Sequence, residues 1–155
     1  METGTGLGQA TARMVWALAR NGRGRLVGCD TSPDRLQATR QAVDATRWWK
    51  VAPLVIDLRL CSGSELELEP DATVDLAYLD SCYRCRVPEL LHLRRWLRPG
   101  AVVAVHDTRP EAGSHEIEGG LSLRQALQRD VVAPGLARAI DLPTPRGLTL
   151  LEVLP

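Results

Sequence analysis

Three apolar runs in this chain end on an acid: residues 25–29 lead into Asp30, residues 74–79 into Asp80, and residues 101–105 into His106 and Asp107. Each run is short and bounded by turn residues, the form of a strand buried on both faces of a parallel sheet. Between the runs, apolar residues recur at helical spacing. Alternating strands and helices restrict a chain to a doubly wound α/β sheet, because parallel strands need crossovers and the crossovers are right-handed. The carboxyl ends of such strands share one edge, and ligands bind there. The pull of helix N-termini on carboxylates explains one or two acids at that edge, but not three.

The remaining elements fit the same scheme. Gly4, Gly6 and Gly8 form a glycine-rich turn that opens a helix over 9–20, with Ala12, Val15, Leu18 and Ala19 on one face. Ser32 caps a second helix that carries Pro33 in its first turn and runs towards Thr46. A third strand is expected in the later half of 51–60, since Pro53 argues against central pairing before Leu54. A helix over 88–96 turns Leu90, Leu91 and Leu93 inward, and Pro99 and Gly100 stop it before a strand at 101–105. A helix over about 122–129 and two late strands, 137–142 and 148–153, end the chain, with a turn at 143–147. The stretch 111–120 is the longest expected loop, a candidate cover for a site.

One domain of ordinary size fits 155 residues, of which 45% are hydrophobic and 25% charged, and no apolar run reaches the ~20 residues of a membrane span. The 19 basic and 19 acidic residues are intermixed, which leaves no stripe for a nucleic-acid backbone or an anionic bilayer. A small-molecule partner is expected instead, in the cytoplasm. Lys50 is the single lysine, beside Trp48 and Trp49 in a connector. Trp48, Trp49 and Trp96 read as packing residues. The cysteines do not form a disulfide framework; Cys82 and Cys85 make a C-x-x-C, but without the surroundings of a zinc or redox site. Tyr83, between them, is a candidate for the mouth of the substrate site.

A glycine turn opening a helix, with Asp30 at the next strand about 20 residues on, points to a nucleoside-containing ligand whose ribose hydroxyls the carboxylate accepts. A dinucleotide fingerprint fits neither frame: Gln9 stands where a frame from Gly4 needs a small residue, and Thr11 where a frame from Gly6 ends. The pattern Glu2-x-Gly4-x-Gly6-x-Gly8 resembles the first motif of class I S-adenosylmethionine-dependent methyltransferases. The run from Asp75 to Asp80 with Ser81, then Leu97-Arg-Pro-Gly100, then Val103 to Thr108 is similar to the fourth- and fifth-strand region of small-molecule O-methyltransferases, nearest to cephalosporin-hydroxylase-like and catechol-type relatives.

This resemblance implies a Rossmann-like, mostly parallel sheet in the order 3-2-1-4-5-7-6 with a closing antiparallel hairpin. It also implies that Glu2, Gly4, Gly6, Gly8, Asp30, Ser62 and Asp80 bind S-adenosylmethionine. Asp80 and Asp107 would hold a divalent ion such as Mg2+, which gathers a substrate hydroxyl and lowers its pKa. Asp80, His106 and Asp107 would form the catalytic group, with His106 as general base. The chain departs from the family's pattern in several places. Thr108 stands where catechol-type enzymes carry asparagine, and Cys61-Ser62-Gly63-Ser64 replaces the acid that meets the adenine, leaving Ser62 as its substitute. Only Met1, Glu2 and Thr3 precede Gly4, so the first strand is truncated, and a single domain with an incomplete N-terminus is expected over 1–155. Methyl transfer to a hydroxyl oxygen is the leading reading. An inactive nucleoside-binding or partner-stabilising remnant and an NAD-dependent oxidoreductase are the alternatives. The late strands would offer an edge through which two copies could pair as a homodimer.

Overall fold

In the computed structural model, which describes residues 1–50, 53–109 and 120–155, the chain folds as two units, Met1–Leu66 and Glu67–Pro155. The first unit begins with a stub of a strand, β1 (Glu2–Thr3), followed by α1 (Gln9–Arg20), β2 (Gly24–Asp30), α2 (Pro33–Thr46) and β3 (Leu54–Leu60). Its strands lie in the order β3-β2-β1, all parallel, with Glu2 opposite Gly28 and Asp30 opposite Leu60. Val15 of α1, Leu26 of β2 and Val43 of α2 form its core, with Met14, Leu18, Leu54 and Ile56 packed around them. Each such side chain contributes about 1.5–3 kcal/mol by leaving water. Ser32 accepts the Arg35 N–H and Pro33 occupies the first turn of α2, as the sequence leads one to expect.

The second unit holds β4 (Val74–Leu79), α3 (Arg86–Leu93), β5 (Leu97–His106), α4 (Leu123–Leu127), β6 (Ala137–Leu142) and β7 (Leu148–Val153). Its strand order is β4-β5-β7-β6; β4 and β5 are parallel, while β7 runs antiparallel to both β5 and β6. Among the described residues the chain therefore has the seven strands of a mostly parallel, Rossmann-like sheet with a closing antiparallel hairpin. Leu79, Val103, Val105, Leu123, Leu127 and Leu151 are almost wholly buried. Ser122 and Gln125 cap α4 reciprocally, and the chain continues from α4 through a wider turn at Gln128–Val132. No helix among the described residues is long and apolar enough to cross a membrane.

Several local expectations are corrected. Leu91 does not face inward: it is 44% exposed, because α3 places Leu90 and Leu93 on the buried stripe and rotates the residue between them away. The run 74–79 is not buried throughout, since Asp75 and Leu76 are exposed and burial is confined to Val74 and the later residues. Pro99 and Gly100 do not separate helix from strand. β5 starts at Leu97, opposite Val74, and the register shifts before Val102 pairs with Leu76, so the two breakers sit in an irregularity inside a strand. Cys82 and Cys85 are joined in a disulfide, their Cα atoms 5.2 Å apart, which the turn ahead of α3 permits. The expected loop at 111–120 falls, but for Gly120, outside the described residues, as does the side chain of Trp49. Trp96 is buried and donates its indole N–H to Glu69 O, whereas Trp48 is 39% exposed and meets Trp16.

Candidate functional site

In the first unit, the glycine turn is tied to β2 and α2 by hydrogen bonds. Gly4, Gly6 and Gly8 all have positive φ, at 76°, 57° and 78°, where a side chain is strained. The Gly4 and Thr5 N–H groups donate to Cys29 O, and the Gly6 N–H donates to Asp30 Oδ2 at 3.0 Å. The Thr39 hydroxyl, from α2, lies 3.1 Å from the Thr5 hydroxyl and 3.2 Å from Gly6 O. At Gly8, a Cβ would lie 2.7 Å from Thr39 Cα and 2.9 Å from Ala42 Cβ, so this glycine lets α1 and α2 approach. At Gly6, a Cβ would meet nothing within 4 Å. The N-cap position of α1, Gly8, offers no side-chain cap and no acid lies within the first turn.

Asp30 is 4% exposed and has two duties in the turn: Oδ2 accepts Gly6 N–H, and Oδ1 accepts Ser32 N–H at 2.9 Å. A carboxylate offers about four acceptor positions, so two remain for a ligand. Glu2 is buried, and the Thr11 hydroxyl from the first turn of α1 donates to it at 2.5 Å. Ser62 follows β3, and the neighbouring Cys61 N–H donates to Asp30 O, which brings Ser62 to the same edge as Asp30. Its hydroxyl and N–H both donate to Glu65 Oε2, at 2.8 and 3.0 Å, and those bonds hold the exposed Glu65 carboxyl below its usual pKa. Burial pushes the Cys61 thiol up.

In the second unit, Asp80, His106 and Asp107 do come together: one ligand atom from each lies within 4.8 Å of the other two. His106 Nδ1 is 3.0 Å from Asp80 Oδ1 and 3.2 Å from Asp107 Oδ1. Two carboxylates on one ring nitrogen favour a proton there, leaving Nε2 as the acceptor in the neutral ring. The Tyr78 hydroxyl donates to Asp80 Oδ2 at 3.4 Å. Asp107 has φ 54°, a left-handed conformation that aspartate tolerates better than most residues. Tyr83 accepts the Leu123 N–H at 2.8 Å, which ties it to the start of α4.

Sequence reasoning missed the centre of this cluster. Arg86, at the start of α3, is 4% exposed, and its Nη2 lies 3.0 Å from Asp80 Oδ1 and 3.5 Å from Asp107 Oδ2. Its Nε and Nη2 donate to Ser81 O, at 3.1 and 2.9 Å, and its Nη1 donates to His106 O. Arg146, from the turn between β6 and β7, adds a second cation: Nη2 donates to Asp107 Oδ2 at 3.0 Å, and Nε lies 2.7 Å from Oδ1. That closer approach is an ion-pair contact too poorly aligned for a hydrogen bond, so Oδ1 is buried without a hydrogen-bond donor. Nothing in the pattern marks Arg86 in a chain whose basic residues are nearly all arginine. Thr108 is fully buried, with its hydroxyl 2.9 Å from that of Thr149, and so does not act where asparagine stands in catechol-type enzymes.

A sequence model of a methyltransferase domain matches residues 1–108. The chain is 31% identical, over 164 aligned positions, to trans-aconitate 2-methyltransferase of Azoarcus sp. (strain BH72). That alignment takes in 97% of this chain and 57% of the relative, so the chain spans little more than half of that enzyme's length. Two solved structures share the fold over 99% of this chain and 72% of their own. One is a protein of Klebsiella pneumoniae assigned as an O-methyltransferase, with TM-score 0.74 and 22% identity. The other is the O-methyltransferase TomG of Streptomyces achromogenes, involved in tomaymycin synthesis and solved in complex with SAM, with TM-score 0.73 and 21% identity.

Proposed function

Because the chain belongs to the methyltransferase domain family, we propose that it transfers the methyl group of S-adenosylmethionine to an oxygen of a small molecule. The observation that carries this reading is the glycine turn. Three left-handed glycines precede the helix, Gly6 is held through its N–H by Asp30 and through its carbonyl by Thr39, and there is open space where a Gly6 side chain would stand. Backbone held this way admits the amino-acid part of the cofactor closely, and the free lone pairs of Asp30 suit its ribose hydroxyls. Glu2, Gly4, Gly6, Gly8, Asp30 and Ser62 are thus assigned to the cofactor, and Asp80 remains a further candidate. S-adenosylmethionine supplies an electrophilic methyl group on a sulfonium.

The chain's own part in the chemistry is assigned to the second unit. His106 holds Nδ1 towards the two carboxylates and takes the acceptor's proton at Nε2, while Asp80 and Asp107 fix the ring's orientation and balance the charge it gains. The rest of the rate comes from holding the acceptor oxygen in line with the methyl group. The O-methyltransferase names of the structural relatives support oxygen as the acceptor atom.

The test is calorimetric titration of the chain with S-adenosylmethionine, S-adenosylhomocysteine and NAD. Binding of the first two in the micromolar range, undisturbed by NAD and lost in Gly6→Ala, is the expected result. A folded chain that binds NAD in preference, or neither methyl-cycle ligand, sinks the proposal.

A further inference from the structure

The charge at the edge of β4 and β5 is already balanced by protein. A divalent ion shared by Asp80 and Asp107 needs their oxygens at roughly 2.0–2.1 Å for Mg2+, in a near-octahedral shell. Here Asp80 Oδ1 faces Arg86 Nη2 and His106 Nδ1, each at 3.0 Å, and Asp107 Oδ2 faces Arg146 at 3.0 Å and Arg86 at 3.5 Å. Arg86 cannot readily swing aside to admit an ion. It is 4% exposed, and it also donates to Ser81 O and His106 O, carbonyls that follow β4 and end β5. Guanidinium does not deprotonate, so a cation added beside it meets a fixed positive charge. The residue after Asp107 offers no further ligand, since Thr108 is buried against Thr149. The donor set therefore does not fit the metal that the resemblance implies.

We infer that Arg86 stands in place of the divalent ion, so that this site is metal-free and takes acceptors whose oxygen is acidic in its own right. The inference rests on the proposed methyl transfer for its second half only. Arg86 is a positioning residue: it holds Asp80, Asp107 and, through its carbonyl, His106 in one arrangement, and four of its five N–H groups donate to Asp80, to Ser81 O and to His106 O. Without a Lewis acid on the acceptor oxygen, nothing in the cluster lowers its pKa as a metal would. A phenolic oxygen ionises near pH 10 unaided, whereas a hydroxyl like that of water requires about pH 16. The acceptor class is thus a phenol, an enol or a carboxylic acid, and not an aliphatic alcohol. In the transfer to a phenol or an enol, the acceptor O–H bond breaks with its proton passing to His106, the new O–CH3 bond forms with the oxygen's electron pair, and the S–CH3 pair stays on sulfur; a carboxylic acid, with a pKa of about 4, arrives as its carboxylate and attacks with no proton to pass on.

The test separates the two halves. Mn2+ is titrated into the full chain and followed by its electron paramagnetic resonance signal, which needs neither cofactor nor turnover. The wild-type chain and Arg86→Lys, which keeps the charge, should leave millimolar Mn2+ free, while Arg86→Gln should bind it at least tenfold more tightly. Submillimolar binding by the wild type that is lost in Asp107→Asn overturns the inference even if Arg86→Gln fails to fold. Among chains that bind S-adenosylmethionine, methyl transfer in excess EDTA should reach phenolic, enolic or carboxylic probes and not matched aliphatic alcohols. Transfer to the alcohols, or a requirement for added metal, overturns the acceptor class while the methyltransferase reading stands.

Discussion

Adding one methyl group at either of two neighbouring glycines separates the architecture of the turn from its use. Gly8 and Gly6 both have positive φ, 78° and 57°, so alanine at either costs about 1–2 kcal/mol of backbone strain. Only at Gly8 does the new Cβ meet packed backbone, with Thr39 Cα at 2.7 Å and Ala42 Cβ at 2.9 Å. Neither contact is the end of a flexible side chain, so α1 and α2 must separate, which adds about 1–3 kcal/mol of overpacking. With about 0.4–1 kcal/mol returned by the stiffer unfolded chain, Gly8→Ala should therefore lose about 1–4.5 kcal/mol in all, a large part of the ~5–15 kcal/mol that typically holds a domain folded. At Gly6 nothing lies within 4 Å, and the stiffer unfolded chain returns about 0.4–1 kcal/mol, so Gly6→Ala should lose only ~1 kcal/mol. Urea unfolding with a common slope measures both. Calorimetry with S-adenosylmethionine should then show that Gly6→Ala, although folded, has lost at least tenfold in affinity. If Gly8→Ala is no less stable than Gly6→Ala, the close approach of the helices is not what that glycine provides.

Asp30→Ala removes the acceptor for two backbone N–H groups at a buried position and should cost about 2–4 kcal/mol, with Asp30→Asn near half of that; urea midpoints unchanged from wild type would show that the carboxylate does not hold the turn. Asp57 is held below the usual carboxylate pKa, first by the hydrogen bond from Arg59 at 2.7 Å. Its depressed pKa makes the pair's contribution present above pH ~4 and lost as pH falls through the folded value. Arg59→Leu should accordingly cost about 0.5 kcal/mol at pH 7, a figure kept small by solvent, and nothing at pH 2; a gap that widens on acidification would reverse the sign. Ellman titration of the denatured, unreduced chain should count Cys29 and Cys61 alone, with Cys82 and Cys85 appearing after reduction. In the native chain Cys61 should react slowly, since burial raises its thiol pKa, and fast labelling at pH 7 would contradict that environment.

Local pattern was a good guide wherever a single element decides the outcome. The helical spacing of α1, the Ser32 cap with Pro33, and the short apolar strands ending in Asp30 and His106 are nearest-neighbour properties, written in consecutive residues. Where two elements must agree, the pattern was silent or misleading. Leu91 has the composition of a core residue but points out, because rotation about a helix axis and not hydrophobicity alone assigns the buried stripe. Pro99 and Gly100 look like a stop and lie within β5, because pairing with β4 continues across an irregular register. The disulfide depends on the distance between Cα atoms in a turn, which spacing in sequence does not reveal.

The candidate site divides the same way. From the sequence alone came the glycine turn, the acids Asp30, Asp80 and Asp107 at the ends of three strands and the gathering of Asp80, His106 and Asp107, because the carboxyl ends of parallel strands must share an edge whatever the packing. Tertiary structure alone decided what those acids face. Asp30 spends two of its lone pairs on Gly6 and Ser32, and the cation between Asp80 and Asp107 is a buried arginine side chain from the next helix, joined by Arg146 from a distant turn. A charge's partner is set by which side chains converge in space, and for a long side chain such as arginine that convergence depends on the orientation of the whole helix that carries it.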